Sequence, residues 1–246
     1  MTSVTQGNAA DRSPRGIALV TGGGTGIGRA VALALAGRGH SVVVTGRRVE
    51  PLDETVDQIR AAGGHGEAVR LDVRDAEGIG TLLDRLRRTD RIDVAVANAG
   101  CFVRGPVAEL DPRDWTTQVE VNLTGAFLTL QAAVQVMRDQ EPVDGCRGHL
   151  FTINSGAGVA GFPTGAAYAA AKHGLRGLVE SLRPEVAPWA IKITDIVVAA
   201  TVASEMNAGR DVPKLPASVV GHTVLACLEL PGAANWDRVD LTQLRT

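Results

Sequence analysis

The sequence predicts an α/β domain, a doubly wound parallel sheet of about seven strands with helices on both faces. Short apolar runs alternate with amphipathic stretches along the chain, which implies right-handed crossovers between parallel strands. The runs, such as Ser41–Thr45, hold Val, Ile and Leu without polar alternation, which is typical of strands buried on both faces. A glycine-rich turn at residues 21–28 joins the first predicted strand to the first predicted helix.

The predicted elements alternate between strand and helix. We predict strands at Ile17–Thr21, Ser41–Thr45, Ala68–Leu71, Asp93–Ala97, His149–Asn154, Ile191–Val198 and near Val239. We predict helices at Gly26–Gly37, Pro51–Ala62, Ala76–Arg88, Trp115–Arg138, Ala166–Val186 and Ala217–Leu228. Pro184 lies late in its helix and is expected to bend or end it. No linker interrupts residues 15–246, so we expect one domain there, after a flexible tail at residues 1–14.

The composition excludes several classes of protein. The chain of 246 residues has 45% hydrophobic and 21% charged residues, as soluble globular proteins do. Its formal charge of −2 gives no electrostatic basis for binding nucleic acid or an anionic membrane. The three cysteines, Cys101, Cys146 and Cys227, form no CxxC pair, so we expect neither a disulfide framework nor a metal site. Together these features predict a cytoplasmic protein.

The glycine-rich turn has the residue types that phosphate binding requires. Glycine lets the backbone approach a pyrophosphate closely, and the N-terminus of the next helix offers free N–H groups and a favourable dipole. The spacing TGxxxGxG differs from the GxGxxG of two-domain dehydrogenases. The alternative is a glycine-rich turn without a ligand. We predict that a dinucleotide cofactor binds to Gly22, Gly24, Thr25, Gly26, Ile27 and Gly28.

The end of the second strand indicates which dinucleotide binds. An acidic side chain there would accept from the ribose 2′-OH of NAD, whereas arginine suits the 2′-phosphate of NADP. Here Arg47 and Arg48 follow the strand, and no acid occurs before Glu50. Since guanidinium groups are permanently charged and bind phosphate in a bidentate manner, we predict NADP rather than NAD. The alternative is that both arginines only begin a solvated loop.

Further cofactor contacts are expected at the ends of the third and fourth strands. Asp72, followed by Val73, is placed to accept from an adenine amino group. Asn98, Ala99 and Gly100 end the fourth strand at the carboxyl edge of the sheet, where ligands lie in open α/β sheets. Asn98 has the alternative role of tying backbone segments together.

A candidate catalytic group follows the fifth strand. Tyr168 and Lys172 are four residues apart, so on a helix they share one face. A free phenol has a pKa near 10, and an ammonium nearby, together with an oxidised nicotinamide, is expected to lower it. Ser155, at the end of the preceding strand, is placed to hydrogen-bond the substrate oxygen, and Asn122 to position a water that relays protons to Lys172. Alone, YxxxK usually marks an ordinary surface helix.

These motifs together resemble the short-chain dehydrogenase/reductase family, from about Gly16 to near the C-terminus. The resemblance rests on residues 21–28, 98–100 and 168–172 with three single positions, Asp72, Asn122 and Ser155. It implies a Rossmann-like sheet, a homotetramer or homodimer, and a catalytic tetrad. In that tetrad Tyr168 is the general acid/base, Ser155 orients the substrate, Lys172 lowers the phenol pKa and holds the ribose, and Asn122 supports the relay.

The sequence departs from the family pattern after the sixth strand. The usual Pro-Gly is missing, and Ile196 is followed by Val-Val-Ala-Ala-Thr-Val. Cofactor contacts by Ala200, Thr201 and Val202 are therefore expected but less well defined. Only a short segment, Ala203–Leu215, separates this strand from the last helix, so we expect a fairly open cleft.

Candidate substrate residues surround the catalytic group. Besides Ser155, they are Phe102, Arg104, Gly156, Phe162, Pro163, Met206 and Asn207. For Phe102 and Phe162 we favour core packing over a substrate contact, and for Arg104 we favour a solvated loop position.

The sequence thus predicts an NADP(H)-dependent oxidoreductase that interconverts a ketone and a secondary alcohol, with a small-molecule substrate and neither nucleic acid nor membrane as partner. One alternative is an NAD-linked alcohol dehydrogenase with the same tetrad. Another is a non-catalytic dinucleotide sensor, which would have no reason to keep Tyr168 and Lys172 together.

Overall fold

The computed structural model describes residues 15–203 and 211–244. The strands are β1 (Arg15–Thr21), β2 (His40–Gly46), β3 (His65–Arg70), β4 (Ile92–Ala97), β5 (Gly148–Ser155), β6 (Ile191–Ala199) and β7 (Arg238–Thr242). The helices are α1 (Gly26–Gly37), α2 (Val49–Ala61), α3 (Ala76–Leu86), α4 (Pro112–Val119), α5 (Gly125–Met137), α6 (Ala166–Val186) and α7 (Ser218–Leu228).

All seven strands form one parallel sheet in the order β3-β2-β1-β4-β5-β6-β7. This confirms the doubly wound, Rossmann-like single domain expected from the sequence. The strand order reverses between β1 and β4, and ligands of open α/β sheets bind in the crevice outside the carboxyl ends of the strands at such a point. The residues that follow β1, β4 and β5 therefore meet at one edge of the sheet.

Two apolar layers hold the helices on opposite faces of this sheet. One layer packs α3, α5 and α6 against it, with Leu83, Leu130 and Leu175 fully buried. The other packs α1, α2 and α7, with Leu35 and Val224 fully buried. Because both faces are covered, the strands contain few polar positions, which explains their continuous apolar sequences.

The long helix predicted for Trp115–Arg138 is present as an uninterrupted helical segment, but it is not α-helical throughout. The segment begins at Pro112 and consists of α4, a π-helical turn at Glu120–Thr124, and α5. Within the turn, the Asn122 side chain donates to the carbonyl of Gln118 at 2.8 Å. That carbonyl would otherwise accept the helical bond from the Asn122 N–H, so the side chain competes with the α-helical ladder. Functional sites often contain such π-bulges.

Smaller differences have simple causes. The predicted strand Ala68–Leu71 begins earlier, at His65, because β3 is an edge strand whose polar start is held by pairing with β2. Helix α6 continues through Pro184 and ends two residues later, at Val186. In the described ranges, no helix has the length and apolar character needed to cross a bilayer. The predicted tail at residues 1–14, together with Met206 and Asn207, lies outside the described residues.

Candidate active site

The turn between β1 and α1 has a backbone that only glycine tolerates at two points. Gly22 and Gly26 have φ angles of +65° and +52°, in the left-handed region that other residues rarely adopt. At Gly28 a Cβ would lie 2.1 Å from the carbonyl oxygen of Gly22. The Thr25 side chain makes no capping bond to α1, and the first turn of α1 has no acidic residue. Its N–H groups therefore face the crevice ready for an anion, and they fit a dinucleotide pyrophosphate.

Asn98 joins the turn to the end of β4. Its side-chain amide donates to the carbonyl of Thr21 at 2.9 Å and to that of Gly22 at 3.2 Å, and its N–H donates to the Thr21 hydroxyl. The backbone-tying role considered for Asn98 is thereby confirmed. It fixes β1 and β4 together at the point where the strand order reverses.

Two cavities meet over this turn. The larger, of about 410 Å³, and the smaller, of about 190 Å³, share the lining residues Gly22, Thr25, Arg48, Ala99 and Gly100. The larger one is also lined by Gly26, Ile27, Gly28, Asn98, Asn122, Ser155, Tyr168, Lys172, Ala200, Thr201 and Val202. The smaller one is also lined by Gly24, Arg47, Asp72 and Val73. Every residue predicted to bind the cofactor thus lines one of the two cavities.

Charged groups surround the smaller cavity. Arg47 and Arg48 are exposed at its rim, and Arg47 lies close enough to Asp72 to contribute to the lowering of that carboxyl's pKa. The larger cause is Arg74, whose guanidinium donates to both Asp72 oxygens, the shorter bond being 2.7 Å, and whose other end pairs with Glu120. Asp72 therefore lines the predicted adenine side while already paired with Arg74.

The predicted catalytic side chains converge in the larger cavity. The Lys172 Nζ lies 5.7 Å from the centre of the Tyr168 ring, as the four-residue spacing predicted. Lys172 is only 5% exposed and donates to the carbonyl of Ile153 at 2.8 Å. The Ser155 hydroxyl oxygen accepts from the N–H of Ala157 at 3.1 Å, which leaves the hydroxyl proton free to donate, and the hydroxyl also hydrogen-bonds Tyr168.

Burial moves both ionisable groups toward their neutral forms. It raises the pKa of Tyr168, which the Ser155 hydroxyl lowers and the Cys101 thiol raises to smaller extents. It lowers the pKa of Lys172 to about 8, against the opposing effect of Asp195. For the protein alone the phenol pKa is raised, because desolvation is the dominant effect, and the lowering expected from Lys172 together with an oxidised nicotinamide stays a prediction. The positive charge of an oxidised nicotinamide would lower the pKa of the Tyr168 phenol.

Asn122 is 1% exposed and holds the loop that follows β4. Its amide nitrogen donates to the carbonyl of Cys101 at 2.8 Å, and its amide oxygen accepts from the Cys101 N–H at 3.3 Å. Gln118, one turn earlier, pairs with both backbone groups of Val103 in the same way. The Asn122 side chain is thus committed to backbone, and its predicted role in a water relay stays a prediction.

The substrate side of the larger cavity is aromatic. The Phe102 ring lies 5.1 Å from the Tyr168 ring and 5.9 Å from the Phe162 ring, centre to centre. Phe162 is 37% exposed, so the core packing considered for this side chain is wrong. Arg104 is exposed and donates to the Thr164 hydroxyl at 2.8 Å. In the described part of the chain, Arg104, Gly156 and Pro163 do not line this cavity.

The segment after β6 is pinned at its base. Leu215 donates to the carbonyl of Thr201 at 2.8 Å, and Ala203 donates to the carbonyl of Leu215 at 3.0 Å. These bonds place Thr201 and Val202 on the cavity wall although the segment lacks Pro-Gly. The open cleft expected at Ala203–Leu215 involves residues 204–210, which lie outside the described residues.

Sequence reasoning missed several wall residues. Ile153, Asn154, Ala157 and Val198 line the larger cavity, and Cys101 lines the smaller one. Asn154 and Cys101 directly adjoin predicted residues, Ser155 and Gly100, and that adjacency was the available signal.

Comparison with known proteins identifies the family. The family model described as short chain dehydrogenase matches residues 16–213, so the chain belongs to the short-chain dehydrogenase family. A 3beta-hydroxysteroid dehydrogenase from Mediterraneibacter gnavus is 35% identical over 187 residues, which cover 75% of this chain and 66% of that protein, just under two thirds of its length. A 3-oxoacyl-[acyl-carrier-protein] reductase from Synechocystis sp. is 34% identical over 197 residues, or 78% of each chain.

A solved structure shows the same fold. The F189W actinorhodin polyketide ketoreductase with NADPH superimposes with a TM-score of 0.82 at 28% identity, covering 95% of this chain and 97% of that chain. The protein studied here is accordingly an oxidoreductase of this family, with a site for a nicotinamide dinucleotide.

Replacing Gly28 with alanine is expected to weaken dinucleotide binding by roughly tenfold or more, because the new methyl group forces the turn apart. Binding is measured by calorimetry with NADPH. Gly37→Ala is the matched control in the same helix, since a Cβ there meets nothing within 4 Å. Equal affinities for both variants would contradict the proposed contact between turn and cofactor.

Tyr168 is the only tyrosine of the chain, so phenolate absorbance near 295 nm reports on it alone. In the protein without cofactor we expect titration above the ordinary value of about 10, because burial raises this pKa. Saturating NADP⁺ is expected to move the midpoint downward through its positive ring. A midpoint below 10 without cofactor would overturn the dominance of burial.

Proposed function

We propose that the protein is an NADP(H)-dependent oxidoreductase that interconverts a ketone and a secondary alcohol. The observation that carries the proposal is that Tyr168, Ser155 and Lys172 lie on the wall of the same cavity as the glycine-rich turn. A cofactor seated on the turn and a carbonyl beside the phenol would both fit within one crevice.

In the direction of reduction, the nicotinamide supplies a hydride to the carbonyl carbon. Tyr168 donates its proton to the carbonyl oxygen, and the Ser155 hydroxyl, whose oxygen is held by Ala157, donates a hydrogen bond to the same oxygen. Lys172 holds a positive charge 5.7 Å from the phenol ring and stabilises the phenolate that this proton transfer leaves on Tyr168. In oxidation the proton moves the opposite way, from the alcohol to the phenolate of Tyr168.

The preference for NADP rests on charge at the rim of the smaller cavity. Arg47 and Arg48 both line it, and a 2′-phosphate carries close to two negative charges that guanidinium groups can bind. The related ketoreductase structure holds NADPH, which supports the same choice. An NAD-linked enzyme would lack a reason for two arginines at this position.

We also propose a cytoplasmic homo-oligomer. All three cysteines are free, which suits a reducing compartment. Trp115 on α4 and Phe127 on α5 are 43% and 39% exposed, and a homo-oligomer would cover such side chains at a contact between subunits. Light scattering coupled to gel filtration measures the state directly.

Tyr168→Phe is expected to reduce turnover of a ketone panel with NADPH by 10³-fold or more, on the order of the combined contributions of a proton donor and an oriented hydroxyl. NADPH affinity should change little, because the ring is retained. Activity near that of the wild type would remove the assigned role of the phenol.

Arg47→Ala is expected to weaken NADPH binding by roughly tenfold, on the scale of one charge-assisted phosphate contact, and to leave NADH binding nearly unchanged. Arg87→Ala is the control, because it removes the same charge at a position away from the cavities. Arg87 follows α3 and pairs with Asp84. Equal losses for both cofactors in Arg47→Ala would contradict the phosphate assignment.

A further inference from the structure

A carboxylate lies buried beneath the candidate active site. Asp195 of β6 is 2% exposed and stands in register with Thr152 of β5. Its two oxygens accept from the Thr152 hydroxyl at 2.6 Å and from the Asn154 side-chain amide at 3.1 Å. A buried carboxylate is costly unless hydrogen bonds and a nearby positive charge compensate it. Thr152 and Asn154 supply the first of these conditions.

The carboxylate reaches Ser155 through Asn154. The amide nitrogen of Asn154 donates to Asp195, so its amide oxygen points the other way and accepts from the N–H of Ser155 at 2.9 Å. A Cβ at Gly158 would lie 2.6 Å from that oxygen, so the backbone of Gly158 packs closely against the amide. The backbone that carries the Ser155 hydroxyl is thereby fixed from below.

The carboxylate is also close enough to the Lys172 ammonium to act on it electrostatically. Lys172 makes its hydrogen bond to Ile153, which lies between Thr152 and Asn154 on β5. No direct ion pair joins Lys172 to Asp195 among the described residues, yet the negative charge of Asp195 is the largest effect that opposes the burial of Lys172. It therefore acts through space in a region that water does not screen.

The other charged side chains near Asp195, on α6 and β7, have partners of their own. On α6, Arg176 also feels the charge of Asp195 but pairs with Glu180 at 2.7 Å. On β7, Arg238 stands in register with Asp195 and pairs with Asp240. Arg183 of α6 pairs with Asp237, and Lys192 of β6 donates to the carbonyls of Leu230 and Pro231. Among the described residues of α6 and β7, Lys172 is thus the cation that has no carboxylate in direct contact.

We propose that Asp195 is a positioning residue of the reaction, which aligns Ser155 through Asn154 and supplies the counter-charge of the Lys172 ammonium. This inference rests on the proposed function, because it assigns Ser155 and Lys172 their catalytic setting. It adds a buried residue of β6 to the candidate catalytic side chains of β5 and α6.

Asp195→Asn tests the charge, because it keeps the shape and removes the negative oxygen. Without the carboxylate, the ammonium of Lys172 loses its proton at lower pH, so ketone reduction should decline earlier as pH rises. We expect kcat to fall by roughly tenfold and its alkaline limb to move down by about one pH unit. Thr152→Val is the matched control, since it removes a hydrogen bond to Asp195 but keeps the charge, and its alkaline limb should stay in place.

A second readout does not depend on turnover. The chain has three lysines, Lys172, Lys192 and Lys214, so an NMR titration of ¹³C-labelled lysine side chains resolves Lys172, assigned by Lys172→Arg. Its midpoint is expected near 8 in the wild type and lower in Asp195→Asn. This result holds or fails whether or not a ketone substrate is found, which separates the inference from the proposed function.

Asn154→Ala tests the alignment, because it cuts the connection to Ser155 and leaves the carboxylate. We expect a lower kcat with an unchanged Lys172 midpoint, and this variant also serves if Asp195→Asn does not fold. The proposal would be overturned by an unchanged Lys172 midpoint in Asp195→Asn. If that variant does not fold, an unchanged kcat in Asn154→Ala would overturn it. A loss of thermal stability alone would show that Asp195 is only structural.

Discussion

The candidate site depends on one close approach of two backbone segments. At the turn after β1, a Cβ on Gly28 would meet the carbonyl oxygen of Gly22, and that same carbonyl accepts from the Asn98 side chain at the end of β4. The contact holds the N-terminus of α1 over the reversal of strand order. Because the sheet is parallel, everything that follows β4 and β5 then arrives beside the same helix terminus.

Polar groups in the interior extend this arrangement below the surface. Asn122 and Gln118 satisfy the backbone of the loop after β4. Asn154, whose amide nitrogen donates to Asp195, accepts from the backbone at the end of β5. Each group is buried, so each would destabilise the protein if its partner were missing. Their hydrogen bonds therefore fix the catalytic side chains more rigidly than apolar packing would, at positions where an error of one ångström matters.

The sequence predicts the sheet and most of the site because both depend on local patterns. Strands buried on both faces read as continuous apolar runs, and the spacing of Tyr168 and Lys172 is set by the geometry of a single helix. The π-turn at Asn122 was not predictable in this way, since it arises from a side chain that competes with the helix after the chain has folded. The role of Asp195 was hidden for a related reason, because its partners lie on another strand.

The two pKa shifts are consistent with a proton donor at the candidate site of the protein alone. Burial raises the pKa of Tyr168 and lowers that of Lys172 to about 8, so near neutral pH the phenol keeps its proton while the lysine remains mostly charged. A phenol of this kind is ready to donate, as reduction of a carbonyl requires. Oxidation of an alcohol needs the phenolate instead, and the positive ring of an oxidised nicotinamide supplies the charge that stabilises it. The oxidised cofactor would thus favour the phenolate of Tyr168, which oxidation of an alcohol uses, and the reduced cofactor would leave the neutral phenol, which reduction of a carbonyl uses.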